Sequence, residues 1–389
     1  MKVKGWVRLC AWTLAACCSI PASASQSEGM SSSYEFTVLH HFSGNDGSCP
    51  KGPLTQAPDG SWYGVTGAGG ARNAGTIFRI SGDTPLQSLY SFTGFKDSSQ
   101  PNGALVLARD GYLYGSTYGD AGADRGSIFR VSKQGELQTL YRMTQGSGAG
   151  PIIHGRDGSI YGTMAMGGPT QFGLLYRWTP GQEMTVLHGF STNGTGTDGS
   201  NPMGHIVQGS DGSLYGATYL GGTGGHGTVY RVTVDGQFSL MHSFDPLTKD
   251  GVQPMDGLSR VGDTLFGTTV YGGLENKGTV FRVTPDEGYQ TITRLPADNS
   301  AGSWVNAGHA IDSNVVVGTS SAGGANGAGT VFVAAGRMVT ALASFPAAPF
   351  GTASSRLAVG RDGDLMGVTC NSGAYGLGMV YRLRRSVAH

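Results

Sequence analysis

Apolar positions along this chain fall in short β-type runs separated by turn formers, as in Thr76-Ile77-Phe78-Arg79-Ile80 and Met379-Val380-Tyr381-Arg382-Leu383. One kind of run has a glycine at its centre and recurs seven times: Trp62-Tyr63-Gly64, Leu113-Tyr114-Gly115, Ile160-Tyr161-Gly162, Leu214-Tyr215-Gly216, Leu265-Phe266-Gly267, Val316-Val317-Gly318 and Leu365-Met366-Gly367. These glycines lie 51, 47, 54, 51, 51 and 49 residues apart, so the chain is built on a unit of about 50 residues. Copies of one unit can be compared with one another inside a single sequence.

Each unit carries four strand-like runs. The first ends in an Asp-Gly turn, at Asp59-Gly60, Asp110-Gly111, Asp157-Gly158, Asp211-Gly212 and Asp362-Gly363, the dipeptide that supplies the positive φ of a tight hairpin. The second is the glycine-centred run, followed by a Gly-Gly loop. The third is the Thr-Ile-Phe-Arg-Ile type, and the fourth reads Leu89-Tyr90-Ser91-Phe92, Leu187-His188-Gly189-Phe190 or Met241-His242-Ser243-Phe244. Seven such units predict an all-β fold, a seven-bladed β-propeller with four antiparallel strands per blade. The termini predict how it closes. The chain opens on an unaccompanied fourth strand, Phe36 to Phe42, while the seventh unit stops after its third strand at Leu383, so the N-terminal strand should complete the last blade and remove two exposed sheet edges. On that layout Cys49 lies in the loop just beyond the closing strand and Cys370 in a loop on the same face. A disulfide between them across the closure is the structural expectation.

The predicted organisation is a leader at residues 1–24, a short linker at 25–34 and the propeller at 35–385. Lys2, Lys4 and Arg8 precede an apolar run ending at Ile20, then Pro21 and Ala22-Ser23-Ala24, the layout of a secretory signal peptide cleaved after Ala24. Leu14-Ala15-Ala16-Cys17 also fits a bacterial lipoprotein box, with Cys17 as the lipidated residue, so secretion or a periplasmic location stands beside lipid anchoring in the envelope. The apolar run falls short of the about 20 residues a transmembrane helix needs. Composition then sharpens the picture. There are 67 Gly and 16 Pro, and charged residues are 13%, with 26 Lys+Arg against 26 Asp+Glu. Such a balance offers no field for nucleic acid. Loss of the leader removes three basic residues and leaves 23 against 26.

Candidate chemistry is sparse. No G-x-S-x-G, H-E-x-x-H, C-x-x-C or P-loop occurs, and the two G-x-G-x-x-G matches, at Gly194, Gly196 and Gly199 and at Gly222, Gly224 and Gly227, neither follow a strand nor open a helix. The sequence calls for no cofactor and no metal: His40, His188 and His242 recur about 50 residues apart and point at different blades. Arg79, Arg130, Arg177, Arg231, Arg282 and Arg382 occupy one third-strand position and read as supports between blades, stacked on aromatics or bonded to strand-end carbonyls. A binding site is sought where the repeat breaks near the channel. The position that begins the first strand reads Pro53, Ala104, Pro151, His205 and Arg356, with His309 near it in the sixth unit. Trp304 precedes His309, and Tyr118, Tyr219 and Tyr271 decorate the glycine-rich loops. Aromatic and polar groups above a channel suit a sugar or a small planar ligand. No carboxylate is visibly placed beside either histidine, which weighs against catalysis.

The string D-G-x-L-Y-G-x-T, then G-G, G-T-V-Y-R-V and M-H-S-F, as at Asp211 through Phe244, resembles the GloVer tandem-repeat proteins, a secreted bacterial family also called choice-of-anchor repeat proteins. The resemblance spans about residues 35 to 385. It implies an extracellular setting but no activity and no catalytic residues, and the surface anchor common in that family is not evident at Arg384 to His389. The expected function is a binding or scaffold module for a glycan or an extracellular protein. The alternative is a polysaccharide lyase or hydrolase with its site at the channel mouth.

Overall fold

The computed structural model describes residues 34–386, except 83, 95, 120–123, 192–196, 249 and 348–354. The leader, Cys17 and the linker up to residue 33 lie outside the described residues, as do Gly194 and Gly196. Seven four-stranded antiparallel sheets follow one another along the chain. The first blade comprises Ser48–Gln56, Trp62–Ala68, Thr76–Ile80 and Gln87–Ser91, and the sixth Ser303–Ala310, Val315–Ala322, Thr330–Ala335 and Met338–Ser344. The seventh is made of Ala358–Val359, Leu365–Thr369 and Met379–Arg385, and its outer strand is Tyr34–His41. That strand pairs Tyr34 with Arg385 and His41 with Met379, so the two ends of the propeller share one sheet.

Two glycine positions explain why the unit repeats so strictly. At the second-strand glycine the tip of the third-strand aromatic ring of the same blade presses against the backbone. A Cβ on Gly115 would sit 2.5 Å from Phe129, and Gly64, Gly162, Gly216, Gly267, Gly318 and Gly367 are crowded likewise by Phe78, Tyr176, Tyr230, Phe281, Phe332 and Tyr381. The glycine before the third strand adopts φ between +98° and +107° in all seven copies, from Gly75 to Gly378, a region closed to most L-residues. Its carbonyl accepts the N–H of the residue that follows the outer strand, including Phe42 N–H to Gly378 at 3.0 Å across the closure.

The core is correspondingly divided. Each apolar cluster draws on two adjacent blades, and the one that joins the last blade to the first contains Phe42, Met366, Val368 and Val380 with Leu54, Trp62 and Phe78. Cys49 and Cys370 are disulfide-bonded over the same seam, 321 residues apart in sequence. Cys49 belongs to the beginning of the first inner strand rather than to the loop before it.

The repeated polar residues have local roles. Third-strand arginines bond side chains of their own blade: Arg231 reaches Asp211 at 2.8 Å and Arg79 reaches Ser61 at 2.7 Å in the hairpins, while Arg130 and Arg282 donate to Gln138 and Gln290 of the outer strands at 3.0 and 2.7 Å. These partners lie within one blade instead of between blades, and Arg130 also lies 4.5 Å over the Tyr112 ring of its own blade. His40, His188 and His242 pair with Asp46, Asp198 and Asp250 at 2.7, 3.1 and 3.7 Å. His188 and His242 also stack on Phe238 and Tyr289 of the next blade.

Candidate functional site

The seven inner strands begin around one cavity of about 160 Å³. Every blade contributes to its wall: Gly52, Gly103, Pro151, His205, Asp256, Asn306 and Arg356 all line it. The wall is not symmetric. Blades one to three present Gly52, Gly103 and Pro151, with the Asn102 amide of blade two turned onto Ala149 O at 3.1 Å, whereas the ion pair and the His205 imidazole come from blades four, five and seven.

Arg356 and Asp256 form the centre of the polar sector. The guanidinium binds the carboxylate through Nε at 2.7 Å and Nη2 at 2.6 Å, and Nη1 donates to Leu258 O at 3.0 Å. Both side chains are nearly inaccessible. Gly308 N–H adds a 3.4 Å contact to the same carboxylate oxygen. Burial raises the Asp256 pKa against the pull of Arg356, as expected when a carboxylate leaves water. The main chain is tied in as well, since His205 N–H donates to Asp256 O at 2.7 Å and Leu258 N–H to His205 O at 2.9 Å. A buried pair held this way is a fixed, charge-neutral feature and not a free cation.

His205 and His309 flank the pair. Each keeps some accessible surface because the channel is open, yet burial holds the His205 pKa well below the ordinary imidazole value, with Arg356 and His309 pushing in the same direction. Burial and Arg356 bring His309 down to about 4. Both rings are therefore neutral at pH 7. His309 Nδ1 is buried with no hydrogen-bond partner among the described residues.

The residues marked by sequence divide into those the fold brings together and those it does not. His205, His309 and Arg356 meet, though His309 lies two residues beyond the Ala307 that aligns with His205 and Arg356. Tyr219, Tyr271 and Trp304 form a row on the rim above blades four to six: Tyr219 Oη donates to Gln253 Oε1 at 3.2 Å, and the Tyr271 ring meets Trp304 edge-on at 6.5 Å. Burial and the nearby Tyr271 raise the Tyr219 pKa. Tyr118 stands apart, near Lys51 and Gln100 over blades one and two. Sequence reasoning missed Asp256. It occupies the place of Gly52, Gly103, Gly150 and Gly204, but the hairpin of its blade turns at Gly262-Asp263 and is one residue shorter, which shifts the register of any comparison. Among the described residues no group of three or more His, Cys, Asp or Glu is placed to hold a metal ion.

A sevenfold ring of such units with a channel-mouth site defines a repeat β-propeller. The chain belongs to the Gloeobacter/Verrucomicrobia repeat family, whose repeat matches residues 28–195 and 149–381. No curated protein matches it in sequence. Among solved structures it is similar to a streptogramin B lyase, with 15% identity, a TM-score of 0.63 and coverage of 91% of this chain and 98% of the other. A catalytically inactive histidine-to-alanine variant of virginiamycin B lyase from Staphylococcus aureus with quinupristin gives 15% identity and a TM-score of 0.61, over 90% and 99% of the two chains. The extracellular domain of a protein described as a one component system from B. thetaiotaomicron gives 12% identity and a TM-score of 0.58, over 91% of this chain and 40% of that one. At these identities the likeness concerns the fold.

Proposed function

We propose that this propeller is a binding module that works outside the cytoplasm and takes a polyhydroxylic ligand, a glycan, at the mouth of its channel. One observation carries the reading: the inner strands of all seven blades converge on a cavity in which Arg356 and Asp256 are locked together beside two neutral histidines. A ligand there meets donors and acceptors in fixed positions, since Asp256 Oδ1 bears no bond from a described residue while the His205 imidazole and Asn306 line the same space. Preorganised polar groups of this kind lower the ordering cost of binding. The disulfide fits an oxidising compartment and a leader of the secretory type. No helix among the described residues is long and apolar enough to cross a membrane.

The lyase or hydrolase reading would make His205 or His309 the general base. Depressed pKa values oppose it, because an imidazole titrating near 4 is a weak base at neutral pH, and efficient proton transfer favours a pKa near the working pH. Arg356 spends its donors on Asp256 and Leu258, leaving little for a developing oxyanion. The deciding experiment is a thermal-shift screen of the protein lacking residues 1–24 against cell-wall and polysaccharide fragments, with product analysis of each hit. The expected result is stabilisation, about 2.7 kcal/mol at a ligand concentration one hundred times Kd, lost in His205→Ala, with no product formed. New reducing ends or unsaturated products would replace the binding reading with the enzymatic one, and the absence of any shift would remove it.

A further inference from the structure

Trp304 sits in a conformation that its residue type disfavours. Its φ is +57°, and it is one of a column of residues in the same place at the start of the inner strands: Cys49 at +51°, Gln100 at +56°, Gly148 at +72°, Asn201 at +55° and Gln253 at +60°. The ring imposes this backbone. The N–H of the column residue crosses to a loop carbonyl of the preceding blade, Cys49 to Leu377 at 2.8 Å, Gln100 to Ala74 at 2.9 Å, Asn201 to Phe172 at 2.9 Å, Gln253 to His226 at 2.8 Å and Trp304 to Lys277 at 3.0 Å. Asn and Gly suit the left-handed region, whereas a bulky aromatic there is an outlier.

Burial does not compensate for the strain. Trp304 is 47% exposed, and its one aromatic neighbour among the described residues is Tyr271, edge-on. A residue that satisfies neither its backbone nor its hydrophobic surface has no evident structural reason to be tryptophan, and strain of this kind is retained where a site needs the side chain. The site is close by. Trp304 lies two residues before Asn306 in the cavity wall, on the same sector as Asp256 and His205.

We infer that Trp304, backed by Tyr271 and with Tyr219 beyond it, is a stacking platform for the apolar face of a pyranose ring, a second subsite outside the channel. The ligand is then a saccharide of at least two units, one in the cavity and the next on the indole. This rests on the reading of the cavity as a glycan site. The chemistry favours a sugar over the other occupants of an aromatic shelf. The Arg356–Asp256 pair is self-neutralised, so an ionic ligand finds no unpaired counter-charge in the cavity, and a purely apolar ligand would leave the carboxylate and the His205 imidazole unmatched. A sugar offers hydroxyls to the cavity and C–H groups to the ring.

The test compares wild type, Trp304→Asn and Trp304→Phe by calorimetric titration with mono- to tetrasaccharides of glucose and N-acetylglucosamine, and by thermal unfolding without ligand. In wild type, oligosaccharides should bind at least tenfold more tightly than the monosaccharide. In Trp304→Asn that advantage should vanish while monosaccharide affinity and the unfolding midpoint are kept or the midpoint rises, and Trp304→Phe should retain most of the advantage. A lowered midpoint in Trp304→Asn would make the residue structural and overturn the inference. Equal oligosaccharide affinities in wild type and Trp304→Asn would overturn it while leaving the glycan site standing. Failure of every saccharide to bind wild type would remove both.

Discussion

Replacing His309 by glutamine should flatten the response of stability to acid. His309 titrates near pH 4 in the fold, against 6.5 for a free imidazole, because it is enclosed by the channel wall and faces Arg356. A base whose folded value is depressed contributes stability that is fully present above its unfolded value and is lost as pH falls toward the folded one, since the unfolded chain binds the proton first. At pH 7.5 both forms are neutral and nothing is lost. At pH 5.0 the unfolded imidazole is almost fully protonated and the folded one hardly at all, which removes about 2 kcal/mol, rising to about 3.4 kcal/mol below pH 4. His188, His205 and His242 are shifted in the same direction, while Asp256, with its raised pKa, acts in the opposite one. These four groups are common to wild type and His309→Gln, so their share cancels in the difference. Urea unfolding of both proteins at pH 7.5 and 5.0, with the disulfide intact, should show wild type losing about 2 kcal/mol more than the variant. Equal losses would refute the enclosure of His309 beside Arg356 on which the site is built.

Two further outcomes follow from the repeat itself. Tyr230 Oη is buried without a hydrogen-bond partner among the described residues, and the equivalent positions of other blades carry Phe78, Phe129, Phe281 and Phe332. Tyr230→Phe should therefore raise stability by about 1 kcal/mol in denaturant unfolding, and a loss would contradict the packing described. Replacing Cys49 and Cys370 together by serine frees a loop of 321 residues, for which chain entropy predicts a loss of about 5 kcal/mol, read from the same curves. A loss under about 1 kcal/mol would refute the role of the bond as a clasp on the ring.

The architecture was legible because it is repeated. Seven glycine-centred strands at nearly constant spacing, five of them preceded by an Asp-Gly turn, leave little freedom in strand order, and the unaccompanied strand at one end with the missing strand at the other pointed to closure by Tyr34–His41. Less legible were the partners of recurrent polar residues. Arg231 and Asp211 lie 20 residues apart, so their pairing depends on the register between the second and third strands, which composition does not display. The same holds for His188 and Asp198, joined where an outer strand runs into the next inner-strand loop.

The candidate site was legible only in part, and for a reason that applies to repeat proteins generally. A repeat supplies its own reference: a residue that departs from its column while the scaffold around it is kept has been released from packing duties. His205 and Arg356 satisfy that test, standing where other blades have Pro53, Ala104 and Pro151. Asp256 satisfies it too, in a column of glycines one position earlier, but a hairpin shortened by one residue hid the correspondence until strand pairing restored it. His309 failed it in the other sense, since it lies two residues off the column and enters the cluster because alternate residues of an inner strand lean over the next blade, as Ser259 does in bonding Ala310 N–H at 3.0 Å. Trp304 departs from its column in backbone preference as well as in chemistry. The departures therefore gather in blades four to seven, on one sector of the channel and its rim. Relaxed constraint alone would scatter them around a sevenfold ring, so their concentration is itself an argument that this sector, and not the whole face of the disc, meets the ligand.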